Sequence, residues 1–263
     1  MSIATQSPQF SGFNRFLHGR ELFDADYDLI VNANNDTLYS TAFADLRTEP
    51  LVIDIPPTGS RYFTMQLVDM STDNFAYLGT RTTGTEGCRA LLVGPRFCGP
   101  LPDGDFARII VSRSDFVALA TRTAISGAED LDGVVAVQEA LVLAPLSAHL
   151  GTEAPAPAPV VDFPPFTPAL YGSPDLLGLL NVLLAFHTPA LHEDGILRDL
   201  AAIGVGPHRD FDLTRFPPDV AAAIEGGVAA AHTEIEARAT ASARRSTGGW
   251  TSLRWATTAT TGR

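Results

Sequence analysis

No lysine occurs among the 263 residues, and all 18 basic side chains are arginine. That absence excludes a Schiff-base nucleophile, a pyridoxal phosphate anchor, a P-loop lysine and a lysine general base. Cysteine is nearly as scarce, with only Cys88 and Cys98. The start "MSIATQSPQF" has neither a basic patch nor an apolar run, so a cytoplasmic, reduced protein with two buried free thiols is expected. Long apolar runs are also missing: "LLGLLNVLLAF" at 176–186 is about half of what a membrane span needs and predicts a buried helix. Positive charge is in deficit. The formal net charge of -12 argues against nucleic acid or an anionic membrane as partner.

Between about 27 and 123, short apolar runs alternate with turn chemistry: "LVIDI" then "PPTGS", "RYFTMQLVD" then "MSTDN", "ALLVG" then "PRFCGPLPDGD", and "ARIIV". Runs about ten residues apart indicate an antiparallel β sandwich or barrel. Phe63, Met65 and Leu67 alternate with Tyr62, Thr64, Gln66 and Val68, and Leu38 and Ala42 alternate with Tyr39, Thr41 and Phe43. After Ser126 the pattern turns helical, and "GAEDLDGVVAVQEALVLAPL" predicts one helix running through Leu141 and Val142. Six prolines at 151–168 predict an extended connector. Three more helices are predicted: "SPDLLGLLNVLLAFH" with Ser173 as N-cap, "DGILRDLAAIG" closed by Gly204, and "PPDVAAAIEGGVAAAHTEIEARATASARR". The expected class is α+β, with an antiparallel β sandwich-like domain over 1–125, a mainly helical part over 126–250 and a flexible tail over 251–263.

None of the six histidines stands two or four residues from another, and His187 and His192 are five apart across a proline, which does not set both imidazoles on one helical face. No G-x-S-x-G elbow supports a serine hydrolase, and "GVGPHRD" lacks the glycines and context of a dinucleotide loop. Polarity concentrates instead in the β region: Asn32, Asn34, Asn35, Asp36, Tyr39 and Asp45, then Arg61, Gln66 and Asp69, then Thr72, Asn74, Arg81, Thr83 and Gly84.

Two readings of that set stand side by side. In one, Asn and Asp satisfy main-chain groups at turns and the cluster is a brace. In the other, "NANNDTLY" and "RYFTMQLVD" line one pocket. Asp36, Asp69 and Tyr39 are then the proton-transfer candidates, and Asn32, Asn34, Asn35, Arg61, Gln66, Asn74, Arg81 and Thr83 place the substrate. A hard cation held by Asp36, Asp69 or Asp73 is the weaker third reading, because no D-x-[DN]-x-[DN]-G spacing occurs. The expected function is acid-base chemistry without a cofactor on a small, partly apolar metabolite, by isomerisation, cyclisation, elimination or hydrolysis, in a specialised bacterial biosynthetic pathway. The alternative is a non-catalytic ligand-binding or assembly module in which the apolar C-terminal helices form a homo-oligomer contact.

The segment from Asn14 to Pro95 resembles the family called "domain of unknown function 1254", whose pattern runs approximately P-N-x-D-T-L-Y-S, D-L-x-x-E-P, G-R-Y-x-x-M-Q-L-x-D, N-x-F, R-T-T-G and V-G-P. Ala33 stands where the family usually has proline. The resemblance implies a β-rich domain with a helical extension, and it transfers no reaction. Larger relatives usually continue into a β-rich "domain of unknown function 1214". A site formed between two such domains is expected to be incomplete here or to be closed differently, for example by a neighbouring subunit.

Overall fold

The structure is a computed structural model that describes residues 10–22, 34–102 and 106–245. The chain forms two compact units. The described part of the first comprises the segment up to Leu22, Asn34–Phe163 and Phe186–Leu191; that of the second comprises Pro164–Ala185 and the chain from His192.

The first unit is a two-sheet sandwich. Strands β1 (Phe16–His18), β2 (Thr37–Asp45), β3 (Leu51–Ile55), β4 (Phe63–Val68), β5 (Asn74–Gly79), β6 (Cys88–Val93), β7 (Arg108–Val111) and β8 (Phe116–Ala124) are followed by helix α1 (Leu131–Glu139), strand β9 (Val142–Pro145) and the short helix α2 (Leu146–Leu150). One sheet has the order β1-β2-β8-β4-β5 and the other β7-β6-β3-β9. Every pairing is antiparallel except β6 with β7.

Period-two alternation builds the core. Along β2, Leu38, Ala42 and Ala44 are buried while Tyr39, Thr41 and Phe43 are half-buried on the other face; along β4, Phe63, Met65 and Leu67 are buried and Thr64, Gln66 and Val68 are not. These inward residues meet Leu51, Ile53, Ala90 and Leu92 of the second sheet. At about 25 cal/mol per Å² of apolar surface removed from water, such burial is the main stabilising term.

The expected α+β class and the four quoted strand runs are present as β3, β4, β6 and β7. The helix after Ser126 is shorter than expected. It ends at Glu139, and Val142–Pro145 instead pairs with β3, Leu143 opposite Ile53. Pro145 cannot continue a helix, and β3 offers an open edge for the strand. The sandwich therefore does not stop at 125: α1 and the connector as far as Phe163 belong to the same unit, where Val137 packs on the core and Arg47 Nη1 donates to the Pro159 carbonyl at 2.7 Å. The connector lacks helix and strand from Gly151 to Thr167, as its prolines predict. Both cysteines are free, but only Cys88 is buried; Cys98 is exposed, because it lies in the turn-rich segment after β6.

In the second unit, α3 (Asp175–Leu184), α4 (Asp194–Ala201) and α5 (Pro218–Arg245) correspond to the three predicted helices. Ser173 Oγ accepts from Asp175 N at 3.2 Å, near the start of α3. Asn181, fully buried, donates to the carbonyls of Gly204 and Arg209 and accepts from Gly206 N, fixing the loop after α4 to α3. No described helix is long and apolar enough to cross a membrane.

Candidate functional site

The strand order distributes the expected site residues over three places. On the outer face of the β1-β2-β8-β4-β5 sheet lie Tyr39 and Gln66. Tyr39 sits under the Arg122 guanidinium, 5.0 Å from ring centre to Cζ, while Gln66 Nε2 donates to Asn74 Oδ1 on β5.

Asp36, Asn34, Asn35, Arg61, Arg81 and Thr83 lie toward the end of the sheet where β2 begins. Asn34 is a brace. Its Oδ1 accepts from the backbone N–H of Asp36 and Thr37, and its Nδ2 donates to Thr37 O at 2.8 Å. Asn35 and Asp36 are exposed. Arg61 makes a bidentate pair with Asp130 at 2.5 and 2.6 Å and donates to Ala124 O. Together with the Ser126 N–H, it holds the Asp130 carboxyl down to about 2. Gly133 leaves room for this pair, since a Cβ there would stand 2.7 Å from Arg61 Nη2. Arg81 lies over Tyr62, and Thr83 Oγ1 accepts from Gly79 N at 2.9 Å. Asn32 lies outside the described residues.

Asp69 is at the opposite end. Thr37 pairs with Ala124, whereas Val68 pairs with Ala118. The run from Ala118 to Ala124, about 20 Å at strand rise, therefore separates Asp36 from Asp69. The expected common pocket is corrected on this point: antiparallel register sends the start of β2 and the end of β4 in opposite directions. The same separation removes Asp36 from any cation site with Asp69 or Asp73. Among the described residues no three His, Cys, Asp or Glu side chains converge as a metal ion would require.

Around Asp69 the polarity is densest. Its carboxylate is 1% exposed; Oδ1 accepts from the N–H groups of Ser71 and Asp73, and Oδ2 lies 3.4 Å from Arg113 Nη2, which also pairs with Asp73 at 2.7 Å. The turn so formed puts Thr72 in the left-handed region, at φ 66, a conformation costly for a β-branched residue. It also presents Ser71. Ser71 Oγ is 2.8 Å from His187 Nε2, and His187 Nδ1 is 2.8 Å from the oxygen of Ser114, which is fully buried.

The hydrogen positions follow from satisfaction. Ser114 Oγ already accepts from Met70 N at 3.0 Å, and its own buried O–H needs an acceptor. His187 Nδ1 is the acceptor in reach, so Nε2 carries the ring proton and donates to Ser71 Oγ. Ser71, half-buried, is thereby left with its own O–H to give.

Beside this node, Asp115 is 1% exposed, with Oδ2 2.7 Å from Arg96 Nη2 and Oδ1 without a hydrogen-bond partner among the described residues. Burial pushes its carboxyl up, against the pull of Arg96. Arg47 spans Phe116 and Phe186, at 5.0 and 5.8 Å, while bound to Asp45.

Of Asp69, Ser71, Ser114 and His187, the sequence marks only Asp69 as a catalytic or binding candidate. Ser71 fell inside a turn, and His187 is 73 residues from Ser114 and 116 from Ser71, so no linear spacing could reveal the contact.

A family model described as "Protein of unknown function (DUF1254)" matches residues 13–145. The chain is also similar in fold to the VPA0106 protein from Vibrio parahaemolyticus, known from a crystal structure, with a TM-score of 0.64 and 23% identity over 76% of this chain and 48% of that one. The chain thus spans about half the length of that protein. No curated protein matches.

Proposed function

The chain belongs to the DUF1254 family of proteins of unknown function, and from that premise we propose that it is an enzyme that performs acid-base chemistry, without a cofactor, on a small, partly apolar metabolite at the Ser71–His187–Ser114 node. The observation that carries the proposal is an imidazole held at 2.8 Å between a buried serine hydroxyl at Nδ1 and a half-buried one at Nε2. Ser71 O–H donates to a substrate oxygen. His187 Nε2–H, donating to Ser71 Oγ, strengthens that donation as negative charge develops on the substrate. Asp69 is a positioning residue that fixes the turn. Isomerisation, cyclisation, elimination and hydrolysis develop such charge on oxygen when they proceed at or next to a carbonyl.

A second reading has an observation of its own: the node also anchors the N–H groups of Met70, Ser71 and Asp73, as a structural brace would. Ser71→Ala separates the two, because the Ser71 hydroxyl holds none of those amides. A metabolite extract is incubated with wild-type protein, and consumed compounds are followed by mass spectrometry. On the enzymatic reading Ser71→Ala keeps the wild-type melting temperature and loses turnover by about 100-fold, the scale of one oxyanion donor. Undiminished turnover in that variant leaves the brace.

A further inference from the structure

The outer face of the β1-β2-β8-β4-β5 sheet carries an arrangement that the acid-base node does not use. Register puts Tyr39 opposite Arg122 and Arg122 opposite Thr64. Tyr62 continues the same face of β4, its carbonyl accepting from Ala124 N at 2.9 Å, and Arg81 reaches over its ring at 5.7 Å. In the next row Tyr77 stands opposite Gln66, and Gln66 opposite Ala120. Tyr62 is 37% exposed and Tyr77 47%, and both arginines are exposed.

The guanidinium groups of Arg81 and Arg122 have no carboxylate within ion-pair distance among the described residues. Arg20, Arg47, Arg61, Arg89, Arg96 and Arg113 each have one. Arg15, Arg108, Arg198 and Arg209 also lack an ion pair among the described residues; what sets Arg81 and Arg122 apart is that each rests on a tyrosine of the same sheet face. Tyrosine and arginine are the side chains that dominate protein interfaces, because each joins a flat contact area to a directed polar group. A carboxylate arriving at such a guanidinium gains a charge-assisted, bidentate contact.

We propose that this face binds an acidic protein segment in extended conformation. Arg122 of β8 lies opposite Thr64, and Tyr62, under Arg81, is one same-face step from Thr64 along that strand, about 7 Å, so the matching carboxylates lie on alternate residues of the bound segment. Its intervening side chains turn away, and its backbone lies over the small residues Ala118 and Ala120. Nucleic acid is the poorer match. Its affinity comes from neutralising many phosphates at once, which two arginines on a chain of net charge -12 do not do.

The test uses the full chain and a fluorescein-labelled peptide of alternating glutamate and threonine, with a peptide of the same composition whose glutamates are in one block, and a single-stranded DNA oligonucleotide. Anisotropy titrations at low salt are made on wild type, on the double variant Arg81→Ala/Arg122→Ala, and on Arg198→Ala, an exposed arginine of α4. The alternating peptide is expected to bind wild type more tightly than the block peptide and to weaken by at least about tenfold in the double variant, with Arg198→Ala unchanged. Equal binding by wild type and the double variant overturns the proposal, as does absence of binding to wild type, or tighter binding of the oligonucleotide. Ser71→Ala is expected to bind the peptide as wild type does, which keeps this face distinct from the acid-base node.

Discussion

Each end of the five-stranded sheet has an aspartate approached by an arginine, and the two differ in what is left over. At the β2 start, Arg61 grips Asp130 with two short bonds and gives a third to a carbonyl. At the β4 end, Arg113 touches Asp69 only at 3.4 Å, and Asp69 instead gathers backbone amides, leaving a hydroxyl–imidazole–hydroxyl chain that leads out to Ser71. The first end is a closed clasp. The second has a proton donor still to be used, and that difference is why the functional assignment rests there.

The largest effect expected from breaking this contrast is at Asp69. Asp69→Ala strips the acceptor from two amides and loosens Arg113, and a loss of about 3 kcal/mol is expected in urea unfolding. At the clasp, Gly133→Ala puts a Cβ against Arg61 Nη2, the movable end of its side chain, and the helix preference of alanine offsets part of the cost, so a loss of about 1 kcal/mol is expected in the same measurement. Acid titration sharpens the comparison further. The Asp130 pKa is depressed to about 2, so the stability it contributes is full above its unfolded value near 4 and is lost as pH falls from about 4 through about 2. Thermal melts across that window should fall steeply in wild type and less so in Asp130→Asn. Asp115 acts in the opposite sense. Its folded pKa is raised, so its ionisation costs stability above that value and the cost is relieved as pH falls. The smallest effect is expected at Asp36→Asn, within about 0.5 kcal/mol and without change in turnover, because that side chain is exposed and stands at the far end from Ser71.

How much of this was legible depends on whether a feature is local. The alternation of Leu38 and Ala42 with Tyr39 and Phe43 names the buried face of β2 correctly, because successive strand side chains point to opposite faces whatever the partner. The turn chemistry of Asn34 is equally local. The extent of α1 was not legible: Val134, Val137, Leu141 and Val142 suit a helix, and only the open edge of β3 turns Val142–Pro145 into a strand. The site was least legible. Its three members come from the β4–β5 turn, the segment before β8 and the chain after α3, and none carries a motif around it.

The sequence by itself determined an acidic, lysine-free chain, a sandwich with a known inner face, a proline-rich connector and three later helices, because charge, period and backbone restriction are properties of short stretches. The strand order β1-β2-β8-β4-β5 was decided only in the tertiary structure. That order sends Asp36 and Asp69 to opposite ends, brings His187 between two serines and sets the Arg122–Tyr39 and Arg81–Tyr62 pairs on one face. The physical reason is that pairing between strands far apart in the chain is chosen by the total burial of both sheets, which no local run of residues specifies.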